Sequence, residues 1–273
     1  MATGTEEAAA VLETLLVDRW GNWTHSSSED LVAVETPVAI EYNGISHAVM
    51  LASPANLRDF AVGFSLTEGI IQQANEMFDC EVIHQPNGVV IQATISSKCF
   101  MALKDRRRNL TGRTGCGLCG LETIEQAVRK HDPILHRHVV SEAFLFGGMQ
   151  KMQDLQPMHQ GCGATHAAAW MDLAGEIVCV REDVGRHNAL DKLIGHLALS
   201  GCDFSQGVAL ITSRASYEMV QKCATMGIGL LAAISAPTSL AARLAKDAGV
   251  TLIGYMREQS YVVYAHPERI VKE

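Results

Sequence analysis

Val208-Ala-Leu-Ile-Thr212, Leu230-Leu-Ala-Ala-Ile234 and Val250-Thr-Leu-Ile-Gly254 decide how this chain folds. Each is a short apolar run. The first leads into a helical pattern from Tyr217 to Met226 and the second into another from Ser239 to Ala248. The third leads through a loop to a last strand, Tyr261 to Tyr264. Apolar strands alternating with helices argue for a largely parallel sheet covered by helices. Working back toward the N-terminus, Asn188 to Leu199 reads as a helix. His166 to Trp170 and Glu176 to Val180 read as a hairpin around Ala174-Gly175.

The first half has a different rhythm. Val38-Ala-Ile-Glu-Tyr42 and Ala48-Val-Met-Leu51 flank Asn43-Gly44, a strong hairpin signal. Ser53-Pro54 is placed to start a helix that runs to about Glu68, with serine as its cap and Gly69 as its stop. Cys80 to His84 and Val89 to Ile95 read as two more strands around Pro86-Asn87-Gly88. The expected organisation is a flexible segment 1–30 with a linker at Ser26-Ser27-Ser28-Glu29-Asp30, and then a small α+β domain, 31–110. A loop, 111–120, connects it to the α/β domain, 121–273.

Ligands of open α/β sheets settle beyond the carboxyl ends of the strands. Three such ends are legible: Thr212-Ser-Arg-Ala-Ser216, Ser235-Ala-Pro-Thr-Ser239 and Gly254-Tyr-Met-Arg-Glu-Gln259. Hydroxyls at helix starts and the arginines Arg214 and Arg257 suit phosphate. A nucleotide-bearing ligand is therefore expected near Ser213, Arg214, Ser235 and Thr238, although each hydroxyl alone is accounted for by helix capping. Glu182-Asp-Val-Gly-Arg-His-Asn-Ala-Leu-Asp-Lys192 is the densest polar segment. Arg186, His187 and Lys192 there are candidates to face an anion, with Glu182 and Asp183 orienting them. A solvated helix start is the plainer account. His166 enters an apolar run and reads as structural.

The loop Thr111-Gly-Arg-Thr-Gly-Cys-Gly-Leu-Cys-Gly120 carries the chemistry. Cys116 and Cys119 lie among four glycines, which permit unusual backbone angles and leave the loop mobile. Arg106, Arg107, Arg108 and Arg113 are close in sequence, and nearby cations favour the reactive thiolate. Leu121 to Lys130 reads as a helix whose positive end would face Cys119. Half a zinc site, a thioredoxin-like redox pair and inert structural thiols are the competing accounts. None of Cys80, Cys99, Cys162, Cys179, Cys202 or Cys223 forms a second such pair.

The 273 residues carry a net charge of -8, which argues against broad nucleic-acid binding. Glu6 and Glu7 precede the first apolar run without an early Lys or Arg, so no secretory signal is expected. The longest apolar stretch, Gly227 to Ala236, is too short to cross a bilayer. A cytoplasmic setting with reduced thiols is expected. Neither a P-loop nor the deaminase zinc signature is present.

Six separated segments resemble the FdhD family, the accessory proteins of formate dehydrogenase. They are Tyr42-Asn-Gly-Ile-Ser-His47, Gly63-Phe-Ser-Leu-Thr-Glu-Gly69, Arg113-Thr-Gly-Cys-Gly-Leu-Cys-Gly120, Thr165-His-Ala-Ala-Ala169, Glu182-Asp-Val-Gly-Arg-His187 and Ser213-Arg-Ala-Ser-Tyr-Glu-Met219. The resemblance runs in order from about Val34 to the C-terminus. It implies a cytoplasmic sulfur carrier, a sulfurtransferase that takes sulfur from a cysteine desulfurase as a persulfide. That sulfur passes to the molybdenum bis(molybdopterin guanine dinucleotide) cofactor, a bound substrate for which a guanine nucleotide is the natural mimic. Cys116 is then the persulfide-bearing residue and Cys119 its partner. The cofactor segment falls on Gly254, Tyr255, Met256, Arg257, Glu258 and Gln259. The implied fold is a cytidine-deaminase-like mixed sheet with helices on both faces and a smaller appended α+β domain, in a homodimer without a tightly bound metal. Gly161-Cys-Gly-Ala departs from the family pattern and leaves Cys162 without a role. Two other classes stay open: a cofactor-binding chaperone whose cysteines are ligands or regulatory thiols, and a zinc-dependent hydrolase.

Overall fold

A computed structural model describes residues 10–21, 24–111, 132–136, 138–257 and 260–272, with the backbone alone for 106–111. Cys116, Cys119, Arg113, the expected helix 121–130, Glu258 and Gln259 lie outside the described residues. So do the expectations placed on them.

The three apolar runs become β10 (Gly207–Ile211), β11 (Leu230–Ala233) and β12 (Thr251–Arg257). They lie side by side and parallel, as the alternation of strand and helix demands. The sheet as a whole is mixed rather than largely parallel. β8 (His166–Asp172) lies antiparallel to β10 and pairs in a hairpin with β9 (Ile177–Asp183), and β13 (Ser260–Ala265) folds back on β12. Short connections set the β8–β9 and β12–β13 pairings, because a tight turn can only return the chain antiparallel. The spatial order is β13-β12-β11-β10-β8-β9, and apart from it the two-residue strands β7 (Val140–Ser141) and β14 (Ile270–Val271) pair with each other.

Side chains alternate across this sheet. Ala168, Trp170, Ala209, Ile211, Leu231 and Leu252 belong to one core cluster. Their neighbours Ala169, Met171, Val208, Leu210, Ala232 and Ile253 belong to another. The first face is covered by α5 (Arg186–Leu199), α6 (Tyr217–Thr225) and α7 (Ser239–Ala248). The second is covered by α3 (Glu142–Asp154), through Leu145, Met149 and Met152. A sheet buried on both faces accounts for strands that are apolar along their whole length. α4 (Pro157–Cys162) follows α3, and its proline stands where the missing N–H is harmless.

The first half forms a four-stranded sheet ordered β4-β3-β6-β5. β3 (Thr36–Tyr42) and β4 (Ile45–Ala52) turn at Asn43 and Gly44, whose φ angles of 48° and 78° suit a tight hairpin. β5 (Met77–Gln85) and β6 (Gly88–Ile95) form the other pair. α2 (Ser97–Thr111) follows, and its last turns contain Arg106 to Arg108. α1 (Leu57–Thr67) begins later than expected, with Asn56 rather than Ser53 as its cap residue. Ser53 is instead fully buried: its N–H donates to Asp183 Oδ2 at 3.0 Å and its hydroxyl accepts from the Val184 N–H at 3.2 Å.

This sheet closes no core of its own. Val38, Ile40, Ile91 and Phe60 belong to the same continuous cluster as Ala189, Leu193 and Met219 of the second half. The junction is the crossing of α1 over α5. There Gly63 lies against the backbone of Asp191, and Gly195 against that of Asp59.

Residues 12–33 are not the loosely organised segment that their composition suggests. β1 (Leu12–Gly21) and β2 (Thr24–Ala33) pair in continuous antiparallel register. The serine-rich stretch has cross-strand partners. Ser27 Oγ donates to Asp18 Oδ1 at 2.6 Å, Arg19 Nε donates to Ser28 Oγ at 2.9 Å, and Arg19 pairs with Asp30 at 3.0 Å. These matches are invisible to a local reading of polar residues.

Candidate functional site

The carboxyl ends of β10, β11 and β12 meet along one rim. Ala215, beyond β10, bridges to Pro237, beyond β11, and the Thr238 N–H donates to the Ala215 carbonyl at 3.2 Å. The Tyr255 N–H reaches the Ser235 carbonyl at 3.3 Å, and Arg257 Nε donates to the Ile234 carbonyl at 3.0 Å. Gly254 permits this approach, since a Cβ there would stand 2.8 Å from Pro237 Cδ.

The expected site residues divide on this rim. Arg214 and Arg257 are exposed, and neither makes an ion pair among the described residues. Tyr255 is also exposed, in the left-handed region at φ 53°. Ser213 is buried and donates to the Arg214 carbonyl at 3.1 Å. Thr238 caps α7 by accepting from the Ala241 N–H at 3.3 Å. Met256 does not face the rim: it is 1% exposed and packs into the core under α3. β12 continues to Arg257 where a loop was expected, and its register shifts between Gly254 and Arg257. That shift moves Met256 onto the same face as Ile253.

The polar segment 182–192 also divides. Lys192 is not placed to face a ligand: the anion it faces is the carboxylate of Asp183. It is fully buried, 2.6 Å from Asp183 Oδ2, and donates to the Ser53 carbonyl at 2.9 Å. Burial pulls its pKa down against the opposing pull of Asp183. Glu182 fixes α4, accepting from the N–H groups of Met158 at 2.9 Å and His159 at 2.8 Å and from the Thr165 hydroxyl at 3.2 Å. His187 Nε2 lies 2.7 Å from Glu218 Oε2, a contact that holds the carboxyl of Glu218 below its usual range. Arg186 Nε is buried without a hydrogen-bond partner among the described residues.

Beside this rim opens a cavity of ≈ 530 Å³. It lies where β8 begins and where β10 and β11 end, and its walls include Gln153, Gln156, His159, His166, Thr212 and Ile234. His166 therefore borders a cavity rather than completing a core. Burial first, then the charge of Arg186, lowers its pKa. Gln153, Gln156 and His159 escaped the sequence reading because α3 and α4 were not anticipated. The signals were present: Ser141 caps α3, Leu145, Met149 and Met152 share its buried face, and Pro157 opens α4. Among the described residues, no group of three or more His, Cys, Asp or Glu side chains is arranged to hold a metal ion. No helix among them is long and apolar enough to cross a membrane.

The chain is similar in sequence and fold to known proteins. Sulfur carrier protein FdhD of Cupriavidus necator is 54% identical over 265 residues, covering 95% of this chain and 90% of that protein. Its namesake from Bordetella petrii is 53% identical over 245 residues, covering 90% and 88%. The crystal structure of a protein assigned as a formate dehydrogenase accessory protein, from Desulfotalea psychrophila, superposes with a TM-score of 0.78. It covers 96% of this chain and 100% of its own at 24% identity, a likeness of fold. Residues 33–271 match the FdhD/NarQ family, and the chain belongs to that family.

Proposed function

We propose that this protein is a cytoplasmic sulfur carrier serving formate dehydrogenase. One observation carries the reading: relatives sharing about half of its residues, over roughly nine-tenths of both chains, bear the name sulfur carrier protein FdhD. In this reading Cys116 thiolate attacks the outer sulfur of a desulfurase persulfide, and the desulfurase thiolate leaves. The persulfide on Cys116 is then offered to the molybdenum bis(molybdopterin guanine dinucleotide) cofactor, the substrate held at the strand ends. Release as sulfide takes two electrons. Cys119 thiolate supplies them by attacking the Cys116 sulfur and expelling the terminal one, and a thiol reductant reopens the resulting disulfide. The strand order β9-β8-β10-β11-β12 supports the cytidine-deaminase-like reading of the second half. The protein acts as a homodimer in this proposal.

The test is sulfur uptake. After incubation with a cysteine desulfurase and cysteine, the wild type is expected to gain the mass of one sulfur atom and to release thiocyanate on cyanolysis. Cys116→Ala is expected to do neither while keeping its fold. Sulfur uptake by that variant at the wild-type level rejects the role of Cys116. A wild type that binds cofactor but never takes up sulfur would instead be a binding chaperone.

The rim arginines give a second prediction. Arg214→Ala or Arg257→Ala is expected to weaken guanosine diphosphate binding by on the order of 1.5–3 kcal/mol, the worth of a charged hydrogen bond to phosphate. Calorimetry showing unchanged affinity in both variants would remove phosphate from this part of the rim.

A further inference from the structure

We propose that β1 pairs antiparallel with β1 of a second copy of this chain, about a two-fold axis at Leu16, so that two hairpins become one four-stranded sheet. This rests on the homodimer of the preceding reading, to which it gives an interface, and is independent of sulfur carriage. The β1–β2 ribbon needs such a partner, because a two-stranded hairpin alone is marginally stable in water. It meets the body at its base, where a Cβ at Gly161 of α4 would stand 2.6 Å from Leu12 Cδ1. Along its length Leu16 and Trp20 are each 79% exposed, and Leu15 and Leu31 42%. Both outer edges of the ribbon are open among the described residues. β2 protects its edge with Glu29 and Asp30 in a serine-rich strand. The middle of β1, Leu15-Leu16-Val17, carries no charge.

The ladder shows which backbone groups face that open edge. The Val34 N–H donates to the Val11 carbonyl at 2.9 Å, one step beyond the pair of Leu12 with Ala33. Odd-numbered residues of β1 therefore bond to β2. Leu12, Thr14, Leu16, Asp18 and Trp20 turn their N–H and C=O groups outward. A two-fold axis at Leu16 sets outward groups against outward groups, and the two Leu16 residues exchange both of their hydrogen bonds.

Side chains select the same register. About this axis Leu12 faces Trp20 of the second copy, Glu13 faces Arg19, Thr14 faces Asp18, Leu15 faces Val17 and Leu16 faces itself. Every pair is apolar, oppositely charged or hydrogen-bonding, the kinds that stabilise adjacent strands. Arg19 spends Nε on Ser28 and Nη2 on Asp30, which leaves Nη1 for Glu13. Neighbouring registers lose this match. An axis at Leu15 sets Leu12 against Asp18, one at Val17 sets Leu16 against Asp18, and one between Leu15 and Leu16 sets Glu13 against Asp18. Two copies of a chain with net charge -8 repel each other overall, so local complementarity has to bring them together. The pairing also brings Trp20 of the second copy to Leu12, beside α4.

Sedimentation of the full chain over a range of concentrations tests this. The paired edge is about 33 Å long, which is small for a permanent interface, so a concentration-dependent dimer is expected. Leu16→Pro is expected to weaken it by about tenfold or more, since proline removes an N–H that bonds between copies and none within the hairpin. Glu13→Arg and Arg19→Glu are each expected to weaken self-association, and their equimolar mixture to restore it, because every arginine then meets a glutamate. With oxidised glutathione, Leu16→Cys is expected to give a disulfide joining position 16 of both copies, mapped by peptide mass spectrometry. Facing Cα atoms there lie about 5.5 Å apart, within disulfide reach. Trp20→Cys is expected not to join to itself, its two positions lying about 26 Å apart. Melting curves identify any variant whose body has lost its fold. A wild type that is monomeric at every concentration overturns both the ribbon pairing and the homodimer. A dimer that folded Leu16→Pro and Glu13→Arg leave unchanged overturns the ribbon pairing alone. Absence of sulfur uptake in a dimer that responds as expected rejects the carrier reading and keeps the interface.

Discussion

Gly195→Ala is expected to destabilise the protein by about 3 kcal/mol, at the top of the usual overpacking range, and Gly63→Ala by a similar amount. α1 and α5 cross with their backbones in contact at these residues. A Cβ added at Gly195 would overlap the Asp59 carbonyl, and one at Gly63 would overlap the Asp191 carbonyl. Both obstacles are main chain, so no rotamer change relieves them. The helices would have to separate, and the core shared by the two sheets would open along the seam. Thr67 Oγ1 donates to Asp191 Oδ1 at 2.8 Å across this crossing, and Lys222 Nζ reaches Asp191 Oδ2 at 2.9 Å. Separation would strain these buried bonds too. For a chain of this size the melting temperature should fall by roughly 6–12 °C. Gly147→Ala is the control. It lies in α3 with nothing within 4 Å of a new Cβ, and the better helix former should be neutral or slightly stabilising. Equal behaviour of Gly147→Ala and Gly195→Ala in thermal melts would contradict the close crossing.

The same crossing shows where the sequence is legible and where it is silent. β10, β11 and β12 announce themselves because each is continuously apolar and two of them lead into a helix. The hairpin at Asn43-Gly44 announces itself because few dipeptides accept two positive φ angles. Gly63 and Gly195 announce nothing. Each is an ordinary glycine inside a helical pattern, and only their meeting in space gives them a purpose. β1 and β2 were hidden for a related reason, because their serines and aspartates find partners across the strand rather than along it. At the site, the three strand ends named from the sequence do meet along one rim. Local reading then failed on individual side chains. Met256 follows a residue with positive φ, so counting alternate positions from Leu252 puts it on the wrong face. Lys192 reads as a solvent-facing cation until its burial against Asp183 is seen.

That pair sets the last prediction. Asp183→Asn should cost about 3–5 kcal/mol, because Lys192 would keep its place in the core without a counter-charge. Lys192→Met should cost less. The carboxylate it leaves behind still accepts from the Ser53 N–H at 3.0 Å, the Gly185 N–H at 2.8 Å and Asn188 Nδ2 at 2.9 Å. Combining the two removes both charges, so the double variant should be more stable than the sum of the singles by about 1 kcal/mol or more. Urea midpoints of the wild type, the two singles and the double measure this coupling. Strict additivity would mean that the charges do not see each other, which a 2.6 Å separation in a buried site rules out if the pair is formed. The pair also reaches the rim. Asp183 holds the turn before Arg186 through the Gly185 N–H, and Ser53 ties that turn to the end of β4. Folded Lys192→Met protein should therefore bind pyrophosphate less tightly than the wild type, although Lys192 itself is buried away from any ligand. Wild-type affinity in that variant would show that the turn keeps its shape without the lysine, and that the pair serves stability alone.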